Sequence, residues 1–294
     1  MPVIFGGERS GTTLLRLMLD AHPELAIPPE TFFVPAVAEL SGTGSDLRNG
    51  FLRVLTTAPT WQDMRMANEE LAAAVEDLDP FTVSRGLRAF YALYAHRRGK
   101  ARWGDKTPKY LRRTADIERV LPEAHFIHII RDGRDVALSV RDVWPNRGAT
   151  PMQARRWRKE VNRGRSSGRA RRHYHELRYE DLVRDPEAEL RRICAFCELS
   201  YADAMLRYHE TAEARLAELG DKRLPDDQTL GREQRLALHA RTASPPEPKR
   251  AGRWRREMSA DDLAEFEAVA GDLLVDVGYE LGAPKRPSPR SRIS

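Results

Sequence analysis

The chain has 294 residues, 41% hydrophobic and 32% charged, enough for one sizeable core under a highly ionised surface and too few for a second full domain. A formal charge of +5 and a pI near 9.3 favour anionic ligands. Both are modest for this length, and no aromatic-basic interleaving marks a nucleic-acid module. No run approaches the roughly 18 apolar residues of a membrane-spanning helix. The first apolar run begins almost at residue 1, which leaves no room for a signal peptide and sets a cytoplasmic expectation.

Residues 3–15, VIFGGERSGTTLL, read as a strand (about 2–6), a glycine-bounded turn and a helix start. Gly6 and Gly11 keep the glycine spacing of a Walker A loop, but Thr12 stands where its lysine belongs. Backbone N–H groups from Ser10 through Gly11 and Thr12 to Thr13, the helix dipole and the cation Arg9 still suit a phosphate or sulfate. After the first helix, Pro28 and Pro29 lead to Glu30, a candidate general base or, more plainly, a helix-capping acid for Thr31 onward. His22 reads as part of a helix-terminating turn. His96, His125 and His128 have no spacing that singles them out. Residues 41–50, rich in Gly and Ser, are expected to be irregular, a candidate substrate gate, and residues 51–100 helical, forming an insertion (about 41–100) that shapes an acceptor pocket.

The stretch RWGDKTPKY over 102–110 presents Lys106, either a cation for a departing phosphate oxygen or a surface lysine paired with Asp105. Next, FIHIIRDGRDVALS over 126–139 is a strand that delivers Arg131 and a helix that delivers Ser139. Guanidinium and hydroxyl together clamp one phosphate, whereas Arg131 alone pairs as readily with Asp132 or Asp135. Arg134 and Asp135 organise the turn. The arginine-rich run from Arg155 to Arg172 is read as a solvated helix face, with an acidic-acceptor surface or a homodimer face left open, and Trp157 is expected to pack inward. A strand is expected from Tyr174 to Arg178, with Tyr179 at its end. Cys194 and Cys197, at i and i+3 of a helical pattern, are expected to be buried thiols. The proline-bearing stretch 221–250 reads as irregular, a candidate substrate gate, and residues 286–294 as a basic, disordered tail.

Strands alternating with helices predict a three-layer α/β/α domain over residues 1–285, with a central parallel sheet whose carboxyl ends gather the loop, Arg131 and Tyr179. No Walker B carboxylate follows a strand, and no metal is expected.

The loop, the continuation LMLDAHPE over 17–24, Glu30-Thr31 and the two downstream motifs resemble the P-loop-fold sulfotransferase family. The likeness is strongest to the tyrosylprotein sulfotransferases and their bacterial relatives, and it extends along nearly the whole chain. The resemblance implies 3′-phosphoadenosine-5′-phosphosulfate (PAPS) as donor, with adenosine 3′,5′-bisphosphate as product. It implies that the loop holds the phosphosulfate, that Arg131 and Ser139 hold the 3′-phosphate, and that Glu30 is the base with Lys106 and Arg9 as catalytic cations. It also brings Tyr179 near the nucleotide. RTAS over 241–244 and KRAGRWR over 249–255 match the family's closing segment, giving Ser244 and Arg253 as donor-site residues in a register that the compressed stretch between them leaves open. The acceptor carries a hydroxyl and is otherwise unspecified. Two other readings stand beside this one: a P-loop kinase using ATP and Mg²⁺, and a non-catalytic nucleotide- or sulfate-binding protein.

Overall fold

A computed structural model describes residues 1–223 and 228–282. The expected tail 286–294, the domain limit at 285 and Pro225 lie outside the described residues. Four parallel strands form the central sheet in the order Asp105–Lys106, Pro2–Gly6, His125–Ile130, Tyr174–Arg178. Three of them fall on the spans expected from sequence. The fourth pairs Val3 with Asp105 and Ile4 with Lys106, and two residues are too few to give a period-two signal.

All five residues of Pro2–Gly6 and all six of His125–Ile130 are buried, because helices cover both faces and both sides of each strand must be apolar. The side chains still alternate. Val3, Phe5 and Phe126 join one core, while Ile4, Ile127 and Ile129 join another under the helix Thr12–Asp20 and the helix Pro186–Phe196. A third core packs the long helix Thr150–Arg169 against Ala260–Val277 through Trp157 and Phe266. Trp157 is inward, as expected, and its indole N–H donates to the Arg131 carbonyl at 2.9 Å. The arginines of that long helix are mostly spent on neighbouring acids: Arg158 on Asp272, Arg165 on Glu176 and Asp276. Cys194 and Cys197 are free and buried, and burial pushes the Cys197 thiol up to about 12.

Two stretches expected to be irregular are partly helical. A helix runs from Gly44 to Thr56, and Leu47, Phe51 and Leu55, four residues apart, are buried on one stripe. That apolar face outweighs the turn preference of the preceding Gly and Ser residues. Within 221–250, Lys222–Arg223 pairs with Thr229–Leu230 as an antiparallel ribbon, and Arg232–His239 is a helix. This helix is pinned by buried Arg235, whose guanidinium donates to both oxygens of Asp63 at 3.0 and 2.6 Å.

Candidate active site

Because the four strands are parallel, their carboxyl ends open on one edge, and the chain segments leaving that edge enclose a cavity of about 470 Å³. The loop after Gly6 forms its floor. A Cβ on Gly6 would sit 2.5 Å from the Ile129 carbonyl oxygen, and one on Gly11, whose φ is +101°, would sit 2.5 Å from the Tyr179 ring. Only glycine allows this approach. Ser10 closes the turn on itself, its hydroxyl donating to Gly7 O at 2.8 Å and its N–H at 3.3 Å. Ser10 therefore braces the loop and does not line the cavity, whereas Arg9, Gly11, Thr12 and Thr13 do. The helix that begins at Thr12 has no side-chain cap, so its first N–H groups remain for a ligand.

Arg9 is held with φ +61°, and its Nε donates to the Ser139 hydroxyl at 3.2 Å. Arg131 leaves the neighbouring strand with its guanidinium 4.5 Å from the Tyr179 ring centroid, so the loop, Arg131, Ser139 and Tyr179 meet at one end of the cavity. Arg241 and Arg250 line the same end. Among the described residues, the one ion pair made by these four guanidiniums is Arg131 to Asp135 at 4.0 Å, and the buried Arg131 Nε has no hydrogen-bond partner. Burial and the neighbouring Arg131 charge pull the Arg9 pKa down, and burial and Arg241 do the same to Arg250. Clustered guanidiniums that depress one another are what an anion of high charge would relieve.

The closing segment is pivoted on Asp135, which accepts the Gly252 N–H at 2.8 Å and the Trp254 N–H at 2.9 Å. That pivot points Arg250 into the cavity and turns Arg253 away, onto Asp142 and Glu257 at 2.7 and 2.5 Å. Of the two arginines, Arg250 lines the cavity and Arg253, expected there from sequence, does not. Ser244 lines the cavity, and its carbonyl accepts the Tyr208 hydroxyl.

At the other end, Lys106 Nζ donates to Glu30 Oε1 at 2.9 Å, and Lys222 Nζ lies 3.4 Å from Glu30 Oε2. Burial alone would raise the Glu30 pKa, but Lys106 and Lys222 outweigh it and hold the carboxyl well below the usual range. Burial lowers the Lys106 pKa against the pull of Glu30. Lys106 is therefore partnered by Glu30 rather than by Asp105. Phe32 follows with φ +56°, a strained conformation for a bulky residue, and Lys222 Nζ sits 3.9 Å from its ring centroid.

Arg16, Lys222 and His239 line the cavity and escaped the sequence reading. Arg16 is 1% exposed, and its Nε donates to the Ile27 carbonyl at 3.0 Å. A lone cation inside the run LLRLML was the available signal. Lys222 and His239 come from the stretch read as irregular, which offers no periodicity to place them, whereas Arg241 opens the RTAS stretch matched to the closing segment. Burial, then the Lys106 charge, pushes His239 down to about 3, so its imidazole is neutral at physiological pH. None of residues 41–100 lines the cavity; its outer wall comes from described residues between 216 and 250.

Several known proteins are similar to this chain. The chain is 27% identical over 94% of its length to the nodulation protein NoeE of Sinorhizobium fredii, and spans 65% of that protein. It is 27% identical to a putative protein-tyrosine sulfotransferase of Caenorhabditis briggsae, covering 95% of this chain and 89% of that one. With protein-tyrosine sulfotransferase 2 of Gallus gallus it shares 28% identity over 71% of its length, spanning 54% of that protein. Two solved structures carry the fold: the sulfotransferase domain of the curacin biosynthetic pathway (TM-score 0.60, 18% identity, 96% and 98% of the two chains covered) and that of the Synechococcus PCC 7002 olefin synthase (TM-score 0.56, 24% identity, 92% and 94% covered). Residues 3–203 match the model of the sulfotransferase family, and the chain belongs to that family.

Proposed function

We propose that the protein transfers a sulfuryl group from PAPS to an acceptor hydroxyl by in-line displacement, without a metal. The observation that carries this reading is the Glu30–Lys106 contact of 2.9 Å in the same cavity as the glycine loop and four guanidiniums without close carboxylate partners. A donor with two phosphates and a sulfate fits that charge. The loop and uncapped helix start would take the 5′-phosphosulfate. Arg131, Ser139 and Arg250 would take the 3′-phosphate, with Tyr179 beside the nucleotide.

The acceptor oxygen attacks sulfur as the bond from sulfur to the bridging phosphate oxygen breaks. The electron pair of that bond stays on the departing oxygen, where Lys106 and Arg9 stabilise it, and the acceptor proton passes to Glu30. The products are the sulfate ester and adenosine 3′,5′-bisphosphate. Lys106 and Arg9 would supply the charge that a kinase draws from Mg²⁺, so chelator should leave turnover unchanged.

The test is release of adenosine 3′,5′-bisphosphate from PAPS, in chelator, with phenols, sugars and tyrosine peptides offered as acceptors. Acceptor-dependent release that falls by roughly 10²–10⁴-fold in Glu30→Gln is expected. Release that ignores Glu30, or phosphoryl transfer from ATP that requires Mg²⁺, would contradict the proposal.

A further inference from the structure

One part of the cavity wall has no role in the transfer chemistry above: a cluster of four charged side chains where the glycine loop begins. Glu8 stands inside the loop, and its carboxylate is held by Arg147 Nη1 on Oε1 and Arg156 Nη2 on Oε2, each at 2.6 Å. Arg156 also reaches Glu160, one helical turn on, with its Nε 3.3 Å from Oε1. The other Glu160 oxygen, Oε2, accepts the Glu8 N–H at 3.3 Å, and a Cβ on Gly7 would sit 2.9 Å from it. All four residues line the cavity. A protein carboxylate thus takes a loop N–H that an anionic ligand would otherwise receive. With the Ser10 N–H spent on Gly7 O, the cradle left to a ligand shifts toward Gly11, Thr12 and Thr13. The side chains of Glu160 and Glu8 are 20% and 27% exposed, against 38% and 39% for Arg156 and Arg147, so the carboxylates form the inner layer and the guanidiniums the outer one.

Tyr179 sets the direction of a bound donor, because its ring packs on Gly11 at the far end of the loop. With the nucleoside beside Tyr179, a phosphosulfate lying along the loop carries its terminal group away from Gly11, toward Glu8 and Glu160. We infer that these two carboxylates are specificity-determining residues that select a terminal sulfuryl group over a phosphoryl group by its charge. The inference rests on the donor site proposed above. The two groups are close in size and shape, so packing separates them poorly. Their charges differ: a sulfuryl group carries a single negative charge, a terminal phosphoryl about 1.5 to 2 near neutral pH. The additional charge meets the inner carboxylates and is repelled, which is discrimination by an unfavourable contact with the wrong ligand. Both carboxylates are engaged by guanidiniums, which opposes their use as ligands for a divalent cation that would carry a phosphoryl group into the loop.

The experiment titrates the full chain calorimetrically, in chelator at neutral pH, with three ligands. These are PAPS, 3′-phosphoadenosine-5′-diphosphate, which replaces only the sulfuryl group by phosphoryl, and adenosine 3′,5′-bisphosphate, which lacks the terminal group. Wild type should bind PAPS roughly 10-fold or more tightly than the diphosphate. Glu8→Gln and Glu160→Gln keep the shape and lose the charge. Each should narrow that ratio to about 3-fold or less by tightening the diphosphate, with bisphosphate affinity moving by no more than about 2-fold. Arg156→Gln, which strips the carboxylates of a cation, should widen the ratio. If Glu8→Gln does not fold, Glu160→Gln must still narrow it. An unchanged ratio, an equal change for all three ligands, or diphosphate binding that requires Mg²⁺ and is lost in Glu8→Gln overturns the inference. Wild type that binds the bisphosphate but does not separate PAPS from the diphosphate overturns the inference alone; wild type that binds none of the three sinks the proposed function with it.

Discussion

The two ends of the cavity are charged in opposite ways. Around the glycine loop, Arg9, Arg131, Arg241 and Arg250 crowd together, and among the described residues their one ion pair is Arg131 to Asp135 at 4.0 Å, so that end is short of close counter-charge. Around Glu30, two lysines share one carboxylate at 2.9 and 3.4 Å. The first end is arranged to gain its counter-charge from a ligand. The second already holds its counter-charge and can move a proton without gathering ions from solvent.

Mutations that strike the two ends should therefore fail differently. The largest effect belongs to the transfer end: Lys106→Met should lower kcat by roughly 10²–10³-fold with bisphosphate affinity nearly unchanged, because Lys222 still faces Glu30. Equal losses in kcat and affinity would erase the distinction between the ends. Smaller effects should map the donor end. Arg250→Ala should weaken bisphosphate binding roughly 10-fold, the cost of one or two charge-assisted hydrogen bonds, while Arg253→Ala should leave affinity within about 2-fold, since Arg253 is spent on Asp142 and Glu257. Calorimetry of both variants reads this, and the reverse order would restore the register expected from sequence.

The smallest effect lies just behind the donor end, where Glu180 accepts the Asp132 N–H at 3.0 Å and the Tyr279 hydroxyl at 2.8 Å. Burial pushes Glu180 up to about 7. Its folded pKa lies above its unfolded value of 4.5, so the native state binds more protons between these pH values, and stability must fall as pH rises through that window. The slope is at most about 1.4 kcal/mol per pH unit. Melting temperatures of Glu180→Gln from pH 4.5 to 7.5 should show a flatter profile than wild type; parallel profiles would assign the pH dependence elsewhere.

What was legible in the sequence follows from how local each signal is. The loop, Glu30, Lys106, Arg131 and Ser139 each sit in a short motif bounded by a strand or a turn, and the structure brings all of them to one cavity. The Arg250-for-Arg253 exchange was not legible, because it depends on two backbone N–H groups meeting Asp135 from more than a hundred residues away. The expected acceptor-side insertion, residues 41–100, touches the site only from behind, through Tyr91 on Asp105. Its helical pattern indicates that it packs, and the pattern carries no information on which side of the sheet edge it faces. Lys222 and His239 are invisible for a related reason: each is placed by a short ribbon or helix whose anchor, Arg235 on Asp63, spans distant parts of the chain.

The central claim is that the arginine-rich end awaits a bisphosphate nucleotide, and isothermal titration in chelator tests it most directly. Wild type should bind adenosine 3′,5′-bisphosphate in preference to ATP, and Arg131→Ala should lose roughly 10–100-fold in affinity. Absence of bisphosphate binding, or a preference for ATP that appears only with Mg²⁺, would contradict the account.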